Sequence, residues 1–279
     1  RLYSQTLLSS GGVQRQRRAA LSGGTSNDLL VVDDRSYGFV GVKQDWLFAA
    51  SPAASIKWGW TARKLEAEYA YAGVLLEEAS LESGVYAAGA LMVLPRLTVE
   101  AGVRHDRQTL TSEAETSPRL GLAWAAGPDS VVRVGWGRTH QPQGIHELAI
   151  ADGVTEFEPA QRADQWGIDV VHRLRSGLSV GLSAYVKEMS RLRPRFENLF
   201  NPIPLFPEAE ADRVRIAPER ARAAGVELSL GGGSGRPLSW RASLALASAE
   251  DQDAGGWVPR RRGQRHAVQV DNCYRPDER

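Results

Sequence analysis

The chain has 279 residues, 42% of them hydrophobic, with 34 basic and 33 acidic side chains, a net charge of +1 and a mean hydropathy of −0.32. This balance supplies no global field for nucleic acid, and no run of 18 or more apolar residues forms a membrane-spanning helix, though spanning strands stay open. Cys273 is the single cysteine and has no partner for an internal disulfide or a cysteine-based metal site.

Period-two alternation recurs along the chain and helical periodicity does not. It predicts twelve strands, at 2–10, 35–48, 55–71, 85–94, 97–109, 118–126, 129–139, 163–174, 177–189, 222–231, 238–249 and 264–274. After Ile56, Trp58 and Trp60 the apolar positions shift to Leu65, Ala67, Tyr69 and Tyr71, a slip that a bulge near Arg63 would produce. Farther on, Leu97, Val99, Ala101 and Val103 oppose Thr98, Glu100, Gly102 and Arg104. Leu120, Leu122 and Trp124 oppose Arg119, Gly121 and Ala123. In G-L-S-V-G-L-S-A-Y, Leu178, Val180, Leu182 and Ala184 alternate with Ser179, Gly181, Ser183 and Tyr185. Val226, Leu228 and Leu230 face away from Glu227 and Ser229, and Leu238, Trp240, Ala242, Leu244 and Leu246 from Ser239, Arg241 and Ser243. The segment Arg275–Arg279 reads as a turn toward a further strand, and Arg1 follows no initiator Met or charged leader, as expected of a segment of a longer protein.

Two kinds of connection alternate strictly. Short, Gly/Pro-marked links fall at 49–55, 94–96, 126–129, 174–177 and 231–237. Long polar links fall at 10–34, 73–84, 109–117, 139–162, 190–220 and 250–262. A soluble sandwich varies its connections at both ends, and a compact soluble domain avoids several structureless loops beyond about 15 residues. An outer-membrane barrel requires the asymmetry, with short periplasmic turns and long extracellular loops, and strands of about 9–11 residues or more. The predicted fold is therefore all-β, an antiparallel up-and-down transmembrane β-barrel. Trp46, Trp58, Trp60, Trp124, Trp136, Trp166, Tyr71 and Tyr185 lie near strand ends, where aromatic girdles belong.

Four segments then resemble one family in its own order. S-P-R-L-G-L-A-W-A through V-V-R-V-G-W-G-R-T-H-Q-P to H-E-L (Ser117–Leu148) is similar to the mid-barrel strand pair of TonB-dependent outer-membrane receptors. E-P-A-Q-R-A-D-Q-W-G-I-D-V (Glu158–Val170), A-P-E-R-A-R-A-A-G-V-E-L (Ala217–Leu228) and V-P-R-R-R-G-Q-R-H-A-V-Q-V (Val258–Val270) resemble its later strand entries. The resemblance covers roughly Val40 to Tyr274. It implies that residues 1–279 are a partial barrel domain, about 12 strands of a larger, about 22-stranded barrel, with the plug domain and terminal strand outside them. It also implies energised uptake of a scarce small-molecule ligand, such as a ferric siderophore or cobalamin. The implied partners are the TonB complex, through the plug, and outer-membrane lipid and lipopolysaccharide, with no nucleic acid. A passive porin, or a structural or adhesive barrel without a plug, is the alternative.

No cofactor or metal is expected. H-Q-P-Q-G-I-H-E-L places His140, Gln143, His146 and Glu147 at the start of a long loop, after Arg138, without an H-E-x-x-H ligand spacing. R-L-R-P-R adds Arg193 and Arg195. These seven are the candidate ligand contacts; Arg193 and Arg195 suit an anionic siderophore or a lipopolysaccharide phosphate. E-D-Q-D-A-G-G (Glu250–Gly256) lacks the later bidentate Glu of a calcium loop and reads as a solvated acidic loop. Local basic runs at Arg15–Arg18 and Arg260–Arg262 read as solvated loops. G-L-S-V-G spells a G-x-S-x-G elbow, but the alternation runs straight through it, so Ser179 is expected to line a lumen rather than to act as a nucleophile, and the chain is not read as an enzyme.

Overall fold

A strand with one apolar face and one small or polar face can cross lipid only if every backbone group is paired with a neighbouring strand. The computed structural model describes residues 1–21, 29–174, 176–200, 208, 211–233, 237–261 and 263–274. Within them run β1 (Leu2–Leu21), β2 (Leu29–Ser51), β3 (Ala54–Tyr71), β4 (Val74–Leu94), β5 (Leu97–Gln108), β6 (Ala114–Ala125), β7 (Ser130–Gln141) and β8 (Gln161–Arg173). There follow β9 (Ser179–Ser190), β10 (Arg195–Asn198), β11 (Arg213–Ile216), β12 (Arg220–Gly232), β13 (Leu238–Asp253), β14 (Gly256–Pro259) and β15 (His266–Tyr274). Thirteen of these form one antiparallel sheet in the order β1 to β9, then β12 and β13, with β14 and β15 sharing the last edge of β13. The architecture is the up-and-down meander that the alternation predicts. Among the described residues β1 pairs only with β2, so the sheet is an open arc. The expected turn at 275–279 lies outside the described residues, as do Arg175, residues 234–236 and Arg262 of the predicted links.

The strands overrun their predicted limits at one end. Residues 10–34 and 73–84, expected as long loops, carry the pairs Arg17–Asp33 of β1–β2 and Leu75–Ala70 of β3–β4. Alternation fades there because both faces of a strand above the membrane meet water or other protein, while backbone pairing continues. Ala72 and Gly73, with φ of 48° and 86°, close β3–β4 as a two-residue hairpin with both central residues left-handed, so that link is a turn. The acidic stretch 250–256, expected as a solvated loop, is instead the top of β13 and its hairpin with β14. No bulge occurs at Arg63, where both ladders of β3 run in unbroken register. The apolar residues change faces there for another reason. Trp58 and Trp60 point outward to lipid, and higher up Leu65, Ala67 and Tyr69 point inward to a packed cluster.

Register gives the outward face as rows across β7, β8, β9, β12 and β13. Val132, Val170, Leu182, Leu228 and Leu244 form one apolar row. Above it come Val134, Ile168, Ala184, Val226 and Leu246, then Trp136, Trp166, Val186, Ala224 and Ser248. The next row is Arg138, Asp164, Glu188, Arg222 and Glu250, and it marks the outer edge of the apolar band. From Ser130 to Arg138, eight residues at about 3.3 Å rise and about 40° tilt climb about 20 Å, close to the apolar height of about 25 Å in such barrels. Trp136–Trp166 and Trp46–Trp58 are direct cross-strand partners with ring centroids 6.0 and 6.1 Å apart, and both pairs belong to the girdles. Tyr71 and Tyr185 do not. By register they face inward, Tyr71 against the apolar cluster and Tyr185 over Gly225.

The inward face is small and polar, and its glycines make room for long side chains from the next strand. A Cβ on Gly225 would lie 2.7 Å from the Tyr185 ring, and one on Gly59 would lie 2.8 Å from the Tyr86 hydroxyl. Tyr86 crosses Gly59 to donate its hydroxyl proton to Asp45. Arg104 and Asp106, bonded to each other, lie over Gly84 in the same way. The two faces should therefore answer oppositely to the same charge. Leu228→Arg, outward near mid-band, should cost about 2–4 kcal/mol, and Ser243→Arg, inward on the adjoining strand, close to nothing. Unfolding of the two variants in lipid bilayers by denaturant would measure the difference, and equal losses would contradict the face assignment.

Candidate functional site

Two long connections meet on the inner side of the arc at its extracellular end. The first, residues 142–160 between β7 and β8, carries Ile145, Leu148 and Ile150, which are buried against Leu65, Ala67 and Tyr69 of β3. Burying each large aliphatic side chain is worth about 1.5–3 kcal/mol, so the loop is docked by its own apolar residues. Tyr69 donates its hydroxyl to the Ile145 carbonyl. Burial pushes its pKa up to about 12, so it remains a donor at any physiological pH.

The second connection, between β9 and β12, contains the β10–β11 hairpin. Ion pairs tie it to the first. Arg193 Nη1 lies 2.8 Å from Glu147 Oε2, and Arg213 Nη2 donates to Asp152 Oδ2 at 2.7 Å. A third set anchors it to the sheet, where Asp251 of β13, 9% exposed at its side chain, accepts from Arg195 Nη2 and Arg260 Nε, each at 2.8 Å. Between the connections and β13 lies a cleft of about 710 Å³. Its charged lining is Arg193, Arg195, Arg215, Arg260 and Arg261 against Glu147, Glu158 and Glu197. Arg215 and Arg261 are exposed and make no ion pair among the described residues. The cleft therefore presents Arg215 and Arg261 without carboxylate partners, Arg261 donating through Nη1 to the Asn198 carbonyl at 2.8 Å, beside three guanidinium groups that are already ion-paired.

The seven residues singled out in the sequence separate in the structure. Gln143, Glu147, Arg193 and Arg195 line this cleft. Gln143 is a strut, accepting the Glu158 amide at 2.8 Å and donating to the Glu147 carbonyl at 3.4 Å. Burial pushes the Glu147 carboxyl up, but the Gly144 amide and Arg193 outweigh it, and the group stays below the usual carboxylate range. His146 sits apart, its ring 5.2 Å from that of Tyr37 on β2. Arg138 lies on the outward row, bonded to Asp164 at 2.8 Å, and does not reach the cleft. His140 is 6% exposed at its side chain and fills the gap where the β6–β7 ladder ends, with Ser117 Oγ at 3.0 Å and Glu115 Oε2 at 3.2 Å.

Sequence reasoning missed Arg213, Arg215, Asp251 and the role of Arg260 and Arg261. The R-R-R run at 260–262 was the available signal, and Asp251 was hidden because it belongs to a strand rather than to a loop. Ser179 begins β9 facing inward and donates weakly to the Gly231 carbonyl at 3.4 Å, while His172 belongs to the opposite face, bonded to Ser130. Gly177, with φ of 80°, belongs to the turn after β8 and Ser179 opens β9, so the G-x-S-x-G match leads from a turn into a strand and not from a strand into a helix. Among the described residues no group of three or more His, Cys, Asp or Glu side chains could hold a metal ion.

A family model described as TonB dependent receptor-like, beta-barrel, matches residues 9–271. The chain belongs to this family. As a TonB-dependent receptor barrel it is an outer-membrane protein that crosses the bilayer with strands. Similar solved structures include the ferripyoverdine receptor of the outer membrane of Pseudomonas aeruginosa bound to ferripyoverdine, at 13% identity and TM-score 0.67, covering 98% of this chain and 41% of that one. The ferric yersiniabactin uptake receptor FyuA from Yersinia pestis matches at 13% identity and TM-score 0.65, covering 97% and 44%. The copper transporter OprC matches at 13% identity and TM-score 0.65, covering 90% and 43%. The chain thus spans about two fifths of the length of the receptors it resembles, and the likeness is one of fold. A comparison with curated protein sequences finds no match.

Two properties of this receptor barrel follow from the loop geometry. Removing the strut with Gln143→Ala takes the partner from the half-buried Glu158 amide, at a cost of about 1 kcal/mol to loop docking, and protease should then cut within 142–160 faster than in wild type. Burial holds the His140 pKa below its ordinary 6.5, against the pull of Glu115. As pH falls the unfolded chain takes up the proton first, so stability present above about 6.5 is lost as pH drops through the lower folded value. After correction for the slower intrinsic exchange at lower pH, amide protection at 142–160 should fall between pH 7 and pH 5, and His140→Gln should flatten that dependence.

Proposed function

We propose that this barrel belongs to a receptor that captures an anionic small molecule, a metal chelate, at its extracellular loops and passes it inward with TonB-derived energy. The observation that carries the reading is the pair Arg215 and Arg261, exposed in the inter-loop cleft without carboxylate partners. A guanidinium offers planar, bidentate donors to carboxylate, hydroxamate or catecholate oxygens, and hydrogen bonds to such charged groups are worth about 1.5–3 kcal/mol each. Arg193, Arg195 and Glu147 set the walls of the same cleft, and His146, packed on Tyr37, lies outside it. Arg138, His140 and Gln143 act by holding strands and loops in place.

The ferripyoverdine and ferric yersiniabactin receptors named above supply the analogy for a ferric chelate, and the copper transporter widens it to other metals. On this reading residues 1–279 are a partial barrel domain, and a plug domain elsewhere in the full protein makes the TonB contact. Reading frames upstream should encode that plug and its TonB box; a frame running straight from a signal peptide into strands would sink the energised-receptor reading.

Uptake assays with the full-length receptor should use iron-loaded hydroxamate, catecholate and carboxylate chelates and an iron-restricted host. One class should be imported, and Arg215→Ala with Arg261→Ala should weaken its binding by at least about tenfold while the folded receptor level is unchanged. If none of the three classes shows uptake that depends on these arginines, the cleft is not the capture site.

A further inference from the structure

The cleft between the two connections is polarised. Glu147 and Glu158 stand on the β7–β8 connection, and Arg193, Arg195 and Arg215 stand on the β9–β12 connection. Most of these charges are committed to one another. Arg193 holds Glu147 at 2.8 Å, and Arg195 Nε donates to Glu197 Oε1 at 2.6 Å. The Glu158 carboxylate makes no ion pair or hydrogen bond among the described residues, although the residue is half-buried and lines the cleft. It is the acidic counterpart of Arg215 and Arg261, a lining charge without an opposite charge.

The backbone beneath Glu158 is held on both sides. Its own amide donates to Gln143 Oε1 at 2.8 Å, and the amide of Ala160, two residues on, donates to Glu113 Oε2 at 2.8 Å. The side chain therefore starts from a fixed point on the wall and is not consumed by the anchoring. On the other connection, Arg215 and Phe196 are direct cross-strand partners, share one face of the β10–β11 hairpin and both line the cleft. A half-buried carboxylate has lost part of its hydration and recovers the loss from a cation. Guanidinium groups without carboxylates ask for the reverse. A ligand that offers only negative charge satisfies Arg215 and Arg261 but meets Glu158 as a like charge, which weakens binding.

We propose that Glu158 is a specificity determinant of this cleft and selects chelates that carry a peripheral ammonium group besides their anionic chelating oxygens. The ammonium pairs with Glu158, and the chelating oxygens meet Arg215 and Arg261. A chelate seated in this way satisfies the unpaired charges of both signs and bridges the β7–β8 and β9–β12 connections. The arrangement also discriminates: a polyanion without a cationic group keeps the repulsion from Glu158, and a chelate whose amine is capped loses the attraction. This role of Glu158 rests on chelate capture by the same cleft and narrows the ligand from any anionic chelate to one with a charge of each sign.

The test uses the full-length receptor on cells without TonB, so that surface binding is measured apart from transport. The probes are iron-loaded desferrioxamine B, a hydroxamate with a free terminal amine, and iron-loaded dihydroxybenzoyl-lysine, a catecholate. Each is offered with its amine free or acetylated. Wild type should bind at least one probe at least about tenfold more tightly in the free-amine form. Glu158→Gln should bring the two forms within about twofold of each other, and Glu158→Asp, which keeps the charge, should keep the free-amine form ahead. Protease resistance of 142–160 identifies variants whose connection stays docked, and Glu158→Ala replaces Glu158→Gln if that variant is cut. Absence of a free-amine preference for both probes, or an undiminished preference in docked Glu158→Gln, would overturn the role. Binding of both forms that needs Arg215 and Arg261 but ignores the amine would remove Glu158 as a determinant and leave the capture site standing. Binding that ignores those arginines would sink the capture site itself.

Discussion

Hydrocarbon offers no hydrogen-bond partner to a peptide group, so a chain that crosses it as strands must pair each amide and carbonyl with the strand beside it. The rest of this molecule follows from that requirement. Pairing fixes period two, so every second side chain meets lipid and the others meet the interior. The outward rows of Val, Ile, Leu and Trp are thus a consequence of the backbone's needs. The inward glycines Gly59, Gly84, Gly102 and Gly225 leave room for the tyrosines and arginines of neighbouring strands. Below the apolar cluster at the extracellular end, those long polar side chains close the inner face sideways, as Tyr86 does over Gly59.

The same requirement explains what could be read from the residues and what could not. Strands β5 to β9, β12 and β13 were legible because lipid on one side and water on the other impose a clean alternation. The tops of β1 to β4 were not. Above the bilayer no solvent contrast separates the two faces, so Glu77, Glu78 and Ser80 look like loop residues although they belong to a paired strand. Near Arg63 the apolar residues switch from the lipid side to the docked-loop side. A change of face and a bulge give the same one-residue slip, and only the partner loop distinguishes them.

The cleft shows a similar division. Glu147 and Arg193 lie 46 residues apart, and their complementary charges say nothing of which loop folds over which, yet they form one ion pair. Asp251 looked like part of a solvated acidic stretch because its counter-ions, Arg195 and Arg260, come from two other segments. Charge that is neutralised across segments is invisible to a reading along the chain. His140 and Gln143 look like ligand contacts by type and position, and burial turns both into structural parts. Only groups left exposed and without a carboxylate partner, such as Arg215 and Arg261, keep the chemistry their residue type promises.

The connection between β7 and β8 touches the two ends of the arc at once. Its apolar residues sit on β2 and β3, and Glu147 helps to wall the cleft bounded by β9 to β13. A loop anchored on one wall and working at the other cannot be exchanged alone. Chimeras that transplant residues 142–160 from a relative would need the matching faces of Phe39, Leu65 and Tyr69 as well. The natural unit of recombination in this barrel is a loop together with the distant strands that receive it.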